Sequence, residues 1–463
     1  MNESRIPSLN DYPVELSPTF TTSKANKPVI IISNEEMLLC KDKSKCLQGR
    51  GRIALEWLPH PSIRFCIDST IKNKADVFSN NLLGEYELVT KTFSRSFRAH
   101  VTEVNISMES NVHVQGLVEN DVFPHDYKIS SALFSLANFN TFGRHVRNAA
   151  GCSVRTARSE FEADGWKITL DAIQDRDRKL QNELRLTGGY GITHVGLIER
   201  TDNAVFRSDD LKELLDDLFW FFSFCRGFKT APLLVKMFDK GKTNHWLQVS
   251  CPTIDPWQTR MLWFDDIKCS LKTVFPGFVN RIRKPMWTTP IRHAIHWYLE
   301  IHKQAGAVEG AIVFGQTALE MLGWTLLVDD RRLLSVKGYD NLPAADKMRI
   351  LLSTCGVPLT IPDKLTNLNQ AARTEKWQDG AQCVAEIRNA VVHASTQKRK
   401  KLNQISLYAK FETWELCIWY LELVLLWLFD YNGAYANRMN SGQWKGENAQ
   451  LVPWQAIRDG NKQ

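Results

Sequence analysis

Glu386-Ile387-Arg388-Asn389-Ala390-Val391-Val392-His393 is the stretch that decides how this chain is read. Val384, Ile387 and Val391 recur at helical spacing and form an apolar stripe, while Glu386, Asn389 and His393 recur at the same spacing on the other side. The segment therefore reads as an amphipathic helix that turns its imidazole away from its own core. Arg388 falls on the flank of the stripe, about 140 degrees from His393 on an ideal helix, so its long side chain has to reach round or the helix has to bend. A guanidinium, an amide and an imidazole this close together form a phosphodiester-cleaving set that needs no metal, or else a solvated helix face, and the spacing alone does not decide between the two. The same two residue types at Arg95 and His100 carry no such reading. Phe93, Phe97, Ala99 and Val101 alternate there as in a strand, and a period of two puts Arg95 and His100 on opposite faces.

The surroundings of the motif are helical. Trp297-Tyr298-Leu299-Glu300 sits in one amphipathic segment, Phe314-Gly315-Gln316-Thr317-Ala318-Leu319-Glu320-Met321-Leu322 in a second, and a long apolar helix starts at about Phe411. With Arg388-Asn389-Ala390-Val391-Val392-His393 between them, this part of the chain resembles the HEPN superfamily, helical domains that in many members are metal-independent endoribonucleases. The resemblance implies a twofold pairing of two chains around their motif helices, which would supply both an acid and a base from one His per chain. It implies His393 as general acid or base, Arg388 as the charge that stabilises the pentacoordinate phosphorus, and Asn389 as a group orienting the imidazole or donating to phosphate. The products are then a 2′,3′-cyclic phosphate and a 5′-hydroxyl. Lys398-Arg399-Lys400-Lys401 follows closely and would attract RNA, tRNA included, or else form a solvated loop. Glu386, and Glu320 by family analogy alone, are candidate supporting residues.

The N-terminal half has a different rhythm. After Pro28-Val29-Ile30-Ile31-Ile32, short alternating runs recur: 52–57, 63–67, 86–89, 97–104 and 112–117. Further strands are expected at 133–139, 166–170 and 193–198, and a helix from Asp209 to about Phe228. Gly51 to Trp57, Leu136-Ala137-Asn138-Phe139, and the aromatic helix ending Phe224-Cys225-Arg226-Gly227-Phe228 together resemble the N-terminal domain of ApeA-type anti-phage defence proteins, which carry a HEPN ribonuclease at the C-terminus. Gly188-Gly189-Tyr190-Gly191 reads as a hairpin turn, and Gly241-Lys242-Thr243 lacks the glycine a phosphate loop needs, with Lys236 in its place.

The expected layout is α+β. A flexible segment spans 1–27, a β-rich domain 28–239 and a connector 240–289, with a HEPN-like helical bundle at 290–435 and a polar tail at 436–463 that adds little to the core. The connector holds Trp246, Trp257, Trp263 and Trp287, with Arg281, Arg283 and Lys284 at its end. Aromatic residues there stack on bases or, more commonly, pack between domains. In a chain of 463 residues, 44% hydrophobic and 24% charged residues are those of a soluble protein. The net charge of +7 favours an anionic partner without identifying one. The start lacks the apolar core of a signal peptide, and acidic residues interrupt the apolar runs Leu214 to Phe224 and Leu416 to Phe429, so neither is expected to span a membrane. Ten scattered cysteines then read as reduced thiols of a cytoplasmic protein. Cys40 and Cys46 are too widely spaced, and lack the second pair, for a zinc knuckle. No cofactor is expected. The function this reading points to is a HEPN endoribonuclease in anti-phage defence, abortive or toxin-like, with the N-terminal domain meeting a phage-derived trigger or regulatory partner. The rival reading is a non-catalytic HEPN scaffold that binds RNA or a partner protein.

Overall fold

The computed structural model describes residues 11–42, 45–70, 83–93, 95–107, 111–119, 123–140, 143–148, 150, 153–173, 179–241, 245–264, 268–303, 307–393, 395–440, 442 and 446–455. Six antiparallel strands come first: β1 Val29–Asp42, β2 Lys45–Glu56, β3 Ser62–Thr70, β4 Gly84–Thr90, β5 Ser96–Ile106 and β6 Asn111–Val118. They close into a barrel in the order β1-β2-β3-β6-β5-β4, with β1 returning to β4 through pairs running from Met37↔Thr90 to Cys40↔Glu87. The alternation visible in the sequence fills the barrel: Ile63, Phe65 and Ile67 point in and meet Leu88, Phe97 and Val114 in one core. Gly116 sits where β5 and β6 approach too closely for a side chain, since a Cβ there would lie 2.1 Å from the carbonyl oxygen of His100.

A second sheet follows, built from β8 Ser131–Ala137, β9 Arg144–Arg147, β10 Val154–Ala163, β11 Trp166–Ala172, β12 Ile192–Arg200, β14 Pro232–Phe238 and β15 His245–Leu247. Its order is β15-β14-β8-β12-β11-β10-β9. The short β7 Lys128–Ile129 and β13 Phe206–Arg207 pair beside it. The helix Ser208–Arg226 packs Phe221 and Phe222 against Phe161 of the sheet, and Phe275 and Phe278 of the helix Leu271–Ile282 complete the aromatic layer. From there one hydrophobic core runs without a break through the helices Pro285–Lys303, Ala307–Trp324, Ala344–Thr354, Thr366–Glu375, Gly380–Val392 and Leu407–Leu428.

The protein is thus mixed α and β, with a β-rich N-terminal and a helical C-terminal region, but the expected division at residue 240 needs correcting. The barrel has a core of its own, whereas the seven-stranded sheet shares its core with the C-terminal helices. The 240–289 stretch is more than a connector: it contributes β15 and a helix, and its Trp263 and Trp287 are buried as packing residues, their indole N–H groups donating to the Phe224 carbonyl and to Asp330. Arg281 pairs with Asp330, and Arg283 with Asp217 and Asp164, so these charges hold the sheet and helices together. Residues 11–27 are likewise not a free lead-in. Glu15 pairs with Arg155 at 2.7 Å, and the Leu16 amide donates to Asp171, which also binds Arg158. Residues 1–10 lie outside the described residues.

Three further readings change. Gly188 and Gly189 follow a helix, Lys179–Thr187, and take positive φ to end it, instead of turning a hairpin. Cys40 and Cys46 face each other across β1 and β2 and form a disulfide, so this pair is neither two free thiols nor half of a zinc knuckle. The tail is not peripheral: β16 Ala434–Ala436 pairs with β17 Ala449–Leu451, and Tyr435, Met439, Val452 and Trp454 are buried. Among the described residues one helix, Ala307–Asp330, is long and apolar enough to cross a membrane, but 61% of its apolar window is buried inside the protein. Its last turn, Thr325–Asp330, widens to a π-helix. Lys242 and Thr243 lie outside the described residues.

Two buried histidines set a pH dependence for this fold. Burial, reinforced by Arg226 and Arg155, pushes His194 down to about 3. Burial and the nearby Arg438 and Arg260 push His302 well below the ordinary imidazole value. Both rings are neutral when folded and protonate on unfolding once the pH drops below about 6.5. Stability is therefore present above that pH and falls as acid is added, by about 1.4 kcal/mol per pH unit for each ring. The urea midpoint is expected to fall between pH 7 and pH 5, and His302→Phe to flatten that fall; an unchanged slope would contradict the buried neutral ring.

Candidate functional site

The motif helix Gly380–Val392 starts on Asp379, whose carboxylate accepts the Gln382 amide at 2.8 Å and is also gripped by Arg349, Nε to Oδ2 at 2.6 Å. Cys383, Val384, Ile387 and Ala390 are buried, as the apolar stripe requires. Gly380 meets the neighbouring helix so closely that a Cβ would stand 2.1 Å from the Tyr420 hydroxyl oxygen. The start of the helix is therefore fixed in three ways: capped, ion-paired and packed. Asp379→Ala removes the cap and one of the two carboxylates that hold Arg349, the other being Asp346. It is expected to lower stability by about 1–2 kcal/mol and to raise amide exchange in the first turn of this helix; unaltered exchange there would show that packing alone holds it.

The other end departs from the sequence reading. The helix stops at Val392, and His393 is its extended C-cap residue, with φ −95° and ψ 119° and its amide donating to the Asn389 carbonyl at 3.1 Å. The angle of an ideal helix between Arg388 and His393 thus no longer applies, because the chain has turned out of the helix before the imidazole is reached. His393 is exposed, and Arg388 and Asn389 are half-buried. The Arg388 guanidinium donates from Nη1 to the Asn389 Oδ1 at 3.3 Å, and its Nε is buried with no partner. Among the described residues no carboxylate lies within ion-pair distance of Arg388. This half-buried cation is held by an amide and left electrically uncompensated, a state suited to an incoming anion.

The supporting residues sort differently. Glu320 is bound to Lys347 at 2.9 Å, so it does not serve Arg388. Glu386 is half-buried on the motif helix and makes no ion pair with Arg388. The basic run is not a loop: 396–404 form a helix that packs beside the motif helix, with Lys400 exposed. The side chains of Lys398, Arg399 and Lys401 lie outside the described residues. Arg95 of the discarded pair stacks over Trp246 at 3.7 Å and bonds the Leu247 carbonyl, while His100 points outward, so the two do part. Trp246 is thereby used to join barrel and sheet. No group of metal-ligating side chains occurs among the described residues.

Comparison with known proteins follows these boundaries. Residues 124–260 match the YopA central domain and residues 284–450 the YopA C-terminal domain. The first match spans the seven-stranded sheet and the helix Ser208–Arg226, the second the helices from Pro285 onward and most of the C-terminal hairpin, and the barrel and the helix Leu271–Ile282 lie outside both. No solved structure matches the chain. Over 460 residues, 95% of this chain and 98% of the relative, it is 26% identical to the SPbeta prophage-derived uncharacterized protein YopA of Bacillus subtilis (strain 168), to which it is similar in sequence from end to end.

Proposed function

We propose that the chain is a metal-independent endoribonuclease of the HEPN type, and that His393 and Arg388 carry the reaction. The observation that supports this reading is the uncompensated Arg388 guanidinium, fixed by Asn389, five residues before an exposed His393 at the end of the same helix. A base takes the proton of the RNA 2′-hydroxyl, the 2′-oxygen bonds phosphorus, the bond from phosphorus to the 5′-oxygen breaks, and an acid protonates that oxygen. Arg388 offsets the charge that builds on the phosphoryl oxygens.

Acid and base both have to be found, and one chain offers one such imidazole. A second copy would supply the other. Val392, Leu407, Tyr408 and Phe411 are exposed apolar side chains on the two helices flanking the basic helix, and a partner chain would cover them. The exposed Lys400 on that helix adds to an RNA-attracting surface. The relative's prophage derivation supports placing the activity in conflict between phages and their hosts, with the N-terminal barrel as the part that meets a trigger. The test is to express wild type and His393→Ala side by side and map new 5′-hydroxyl RNA ends. Ends that appear only with wild type support the reading. RNA retained by the purified protein with no cyclic-phosphate product would favour a binding scaffold instead.

A further inference from the structure

Away from the motif, a cavity of about 450 Å³ opens where the β9 end of the seven-stranded sheet meets the start of the helix Leu271–Ile282. That volume falls within the range of small-molecule sites. Its charged lining comes from separate parts of the chain: Arg144 on β9, Lys167 on β11, and Lys268 and Lys272 on either side of the helix start, against the carboxylates of Glu160 and Glu162 on β10. Arg144 reaches Glu160 only at 3.7 Å. Lys167, Lys268 and Lys272 have no carboxylate within ion-pair distance among the described residues. Three ammonium groups with no ion-pair partner among the described residues thus stand around one concavity, and an anion placed among them would be attracted by each.

Two other features bear on the kind of anion. The helix has Ser270 at its N-cap with no capping bond from the side chain, and of the first-turn amides Thr273 turns back to the Ser270 carbonyl, so Leu271 and Lys272 N–H have no acceptor among the described residues. Beside the charges Phe264 offers a half-buried aromatic face, with the buried Phe161 and Leu271 behind the lining. Inorganic phosphate would use only the charged end of such a space. We propose that this cleft binds a small phosphate monoester with a flat apolar body, of the nucleoside monophosphate class. The phosphate sits among Lys167, Lys268, Lys272 and the helix start, and the ring lies against Phe264. Asp265 and Asp266, next in sequence to Phe264, lie outside the described residues. The cleft is separate from the Arg388–His393 motif, and neither reading depends on the other. Its residues follow no spacing rule, which is why the sequence alone did not single them out.

Titration calorimetry on the full chain at low salt, with adenosine 5′-monophosphate as probe and adenosine as control, tests the assignment. The monophosphate is expected to bind once per chain and at least about tenfold tighter than adenosine, the least that one charge-assisted contact gives. The double variant Lys167→Ala/Lys272→Ala, at side chains with no ion pair to lose, is expected to weaken it by at least about tenfold while leaving circular dichroism and the melting temperature unchanged. No heat and no thermal shift with the monophosphate or with inorganic phosphate at millimolar concentration would overturn the proposal. So would undiminished binding by the double variant. A single-stranded RNA that needs these lysines, where the monophosphate does not bind, would overturn it in favour of a nucleic-acid surface.

Discussion

Arg438→Ala is expected to lower stability by about 3–5 kcal/mol, because it strands Glu422 as an unpaired charge in the core. Glu422 is 0% and Arg438 3% exposed. The guanidinium grips the carboxylate twice, Nε to Oε2 at 2.9 Å and Nη2 to Oε1 at 2.6 Å, and reaches the Met261 carbonyl at 3.1 Å. The Tyr298 hydroxyl donates to the same carboxylate at 3.0 Å. The pair therefore joins the C-terminal hairpin, the central apolar helix, the first helix of the bundle and the segment before Trp263. Glu422→Gln keeps the shape and an acceptor for Tyr298 but strands Arg438, and a loss of similar size is expected. The double variant Arg438→Met/Glu422→Leu should cost less than the two single losses added, since no charge is left unpaired; a cycle of urea midpoints measures that coupling. If Arg438→Ala moved the midpoint by no more than a surface change does, within about 0.5 kcal/mol, the hairpin would not be docked as described.

This ion pair also marks the limit of what could be read in the sequence. Arg438 lies in a polar tail, and a charge in such a tail looks solvated until its partner sixteen residues earlier is seen at the centre of a helix. Glu422 had been legible only as an interruption of an apolar run. The strands of the barrel were readable because each shows a side-chain period of two, as in the buried alternation of Ile63, Phe65 and Ile67. Closure was not readable. It rests on β1 pairing with β4 and β3 with β6, and no local pattern encodes a partner that distant. The sharing of one core between sheet and helices was hidden in the same way: Phe161, Phe221 and Phe275 read in sequence only as apolar residues, and the ring contacts joining them are tertiary facts. At the motif, the stripe of Val384 and Ile387 predicted the buried face, but continuing the period through position 393 carried the helix past its end at Val392. The sign of a stop was there in Ser395 and Thr396, residue types that favour the start of a new helix, and the basic run forms that helix.

The change at position 393 sharpens the second large expectation, that His393→Ala lowers RNA cleavage by about 10²–10⁴-fold, the usual worth of a positioned proton donor or acceptor. The variant should fold as wild type does, since the side chain is exposed and the backbone bond to Asn389 that ends the helix survives the change. Arg388→Ala should cost about 10²–10³-fold. Arg388→Lys should recover only part of that, because an ammonium keeps the charge and loses the planar fork that meets both Asn389 and a phosphate. If the two groups act on one transition state, the double variant Arg388→Ala/His393→Ala will be little worse than the poorer single variant, as expected of residues that work as a unit. Multiplying losses would mean that the two act at separate steps. Full activity in purified His393→Ala would remove the imidazole from the reaction altogether. The twofold arrangement has its own signature: activity per chain should fall on dilution below the dimer dissociation constant, and Tyr408→Asp, which puts a charge on the exposed apolar surface at the start of the central apolar helix, should reproduce that fall at high concentration while leaving Arg388 and His393 in place. A chain that cuts RNA equally well as a monomer would have to find its second proton-transfer group elsewhere. His302 and His194 cannot supply it, because both are sealed in the core.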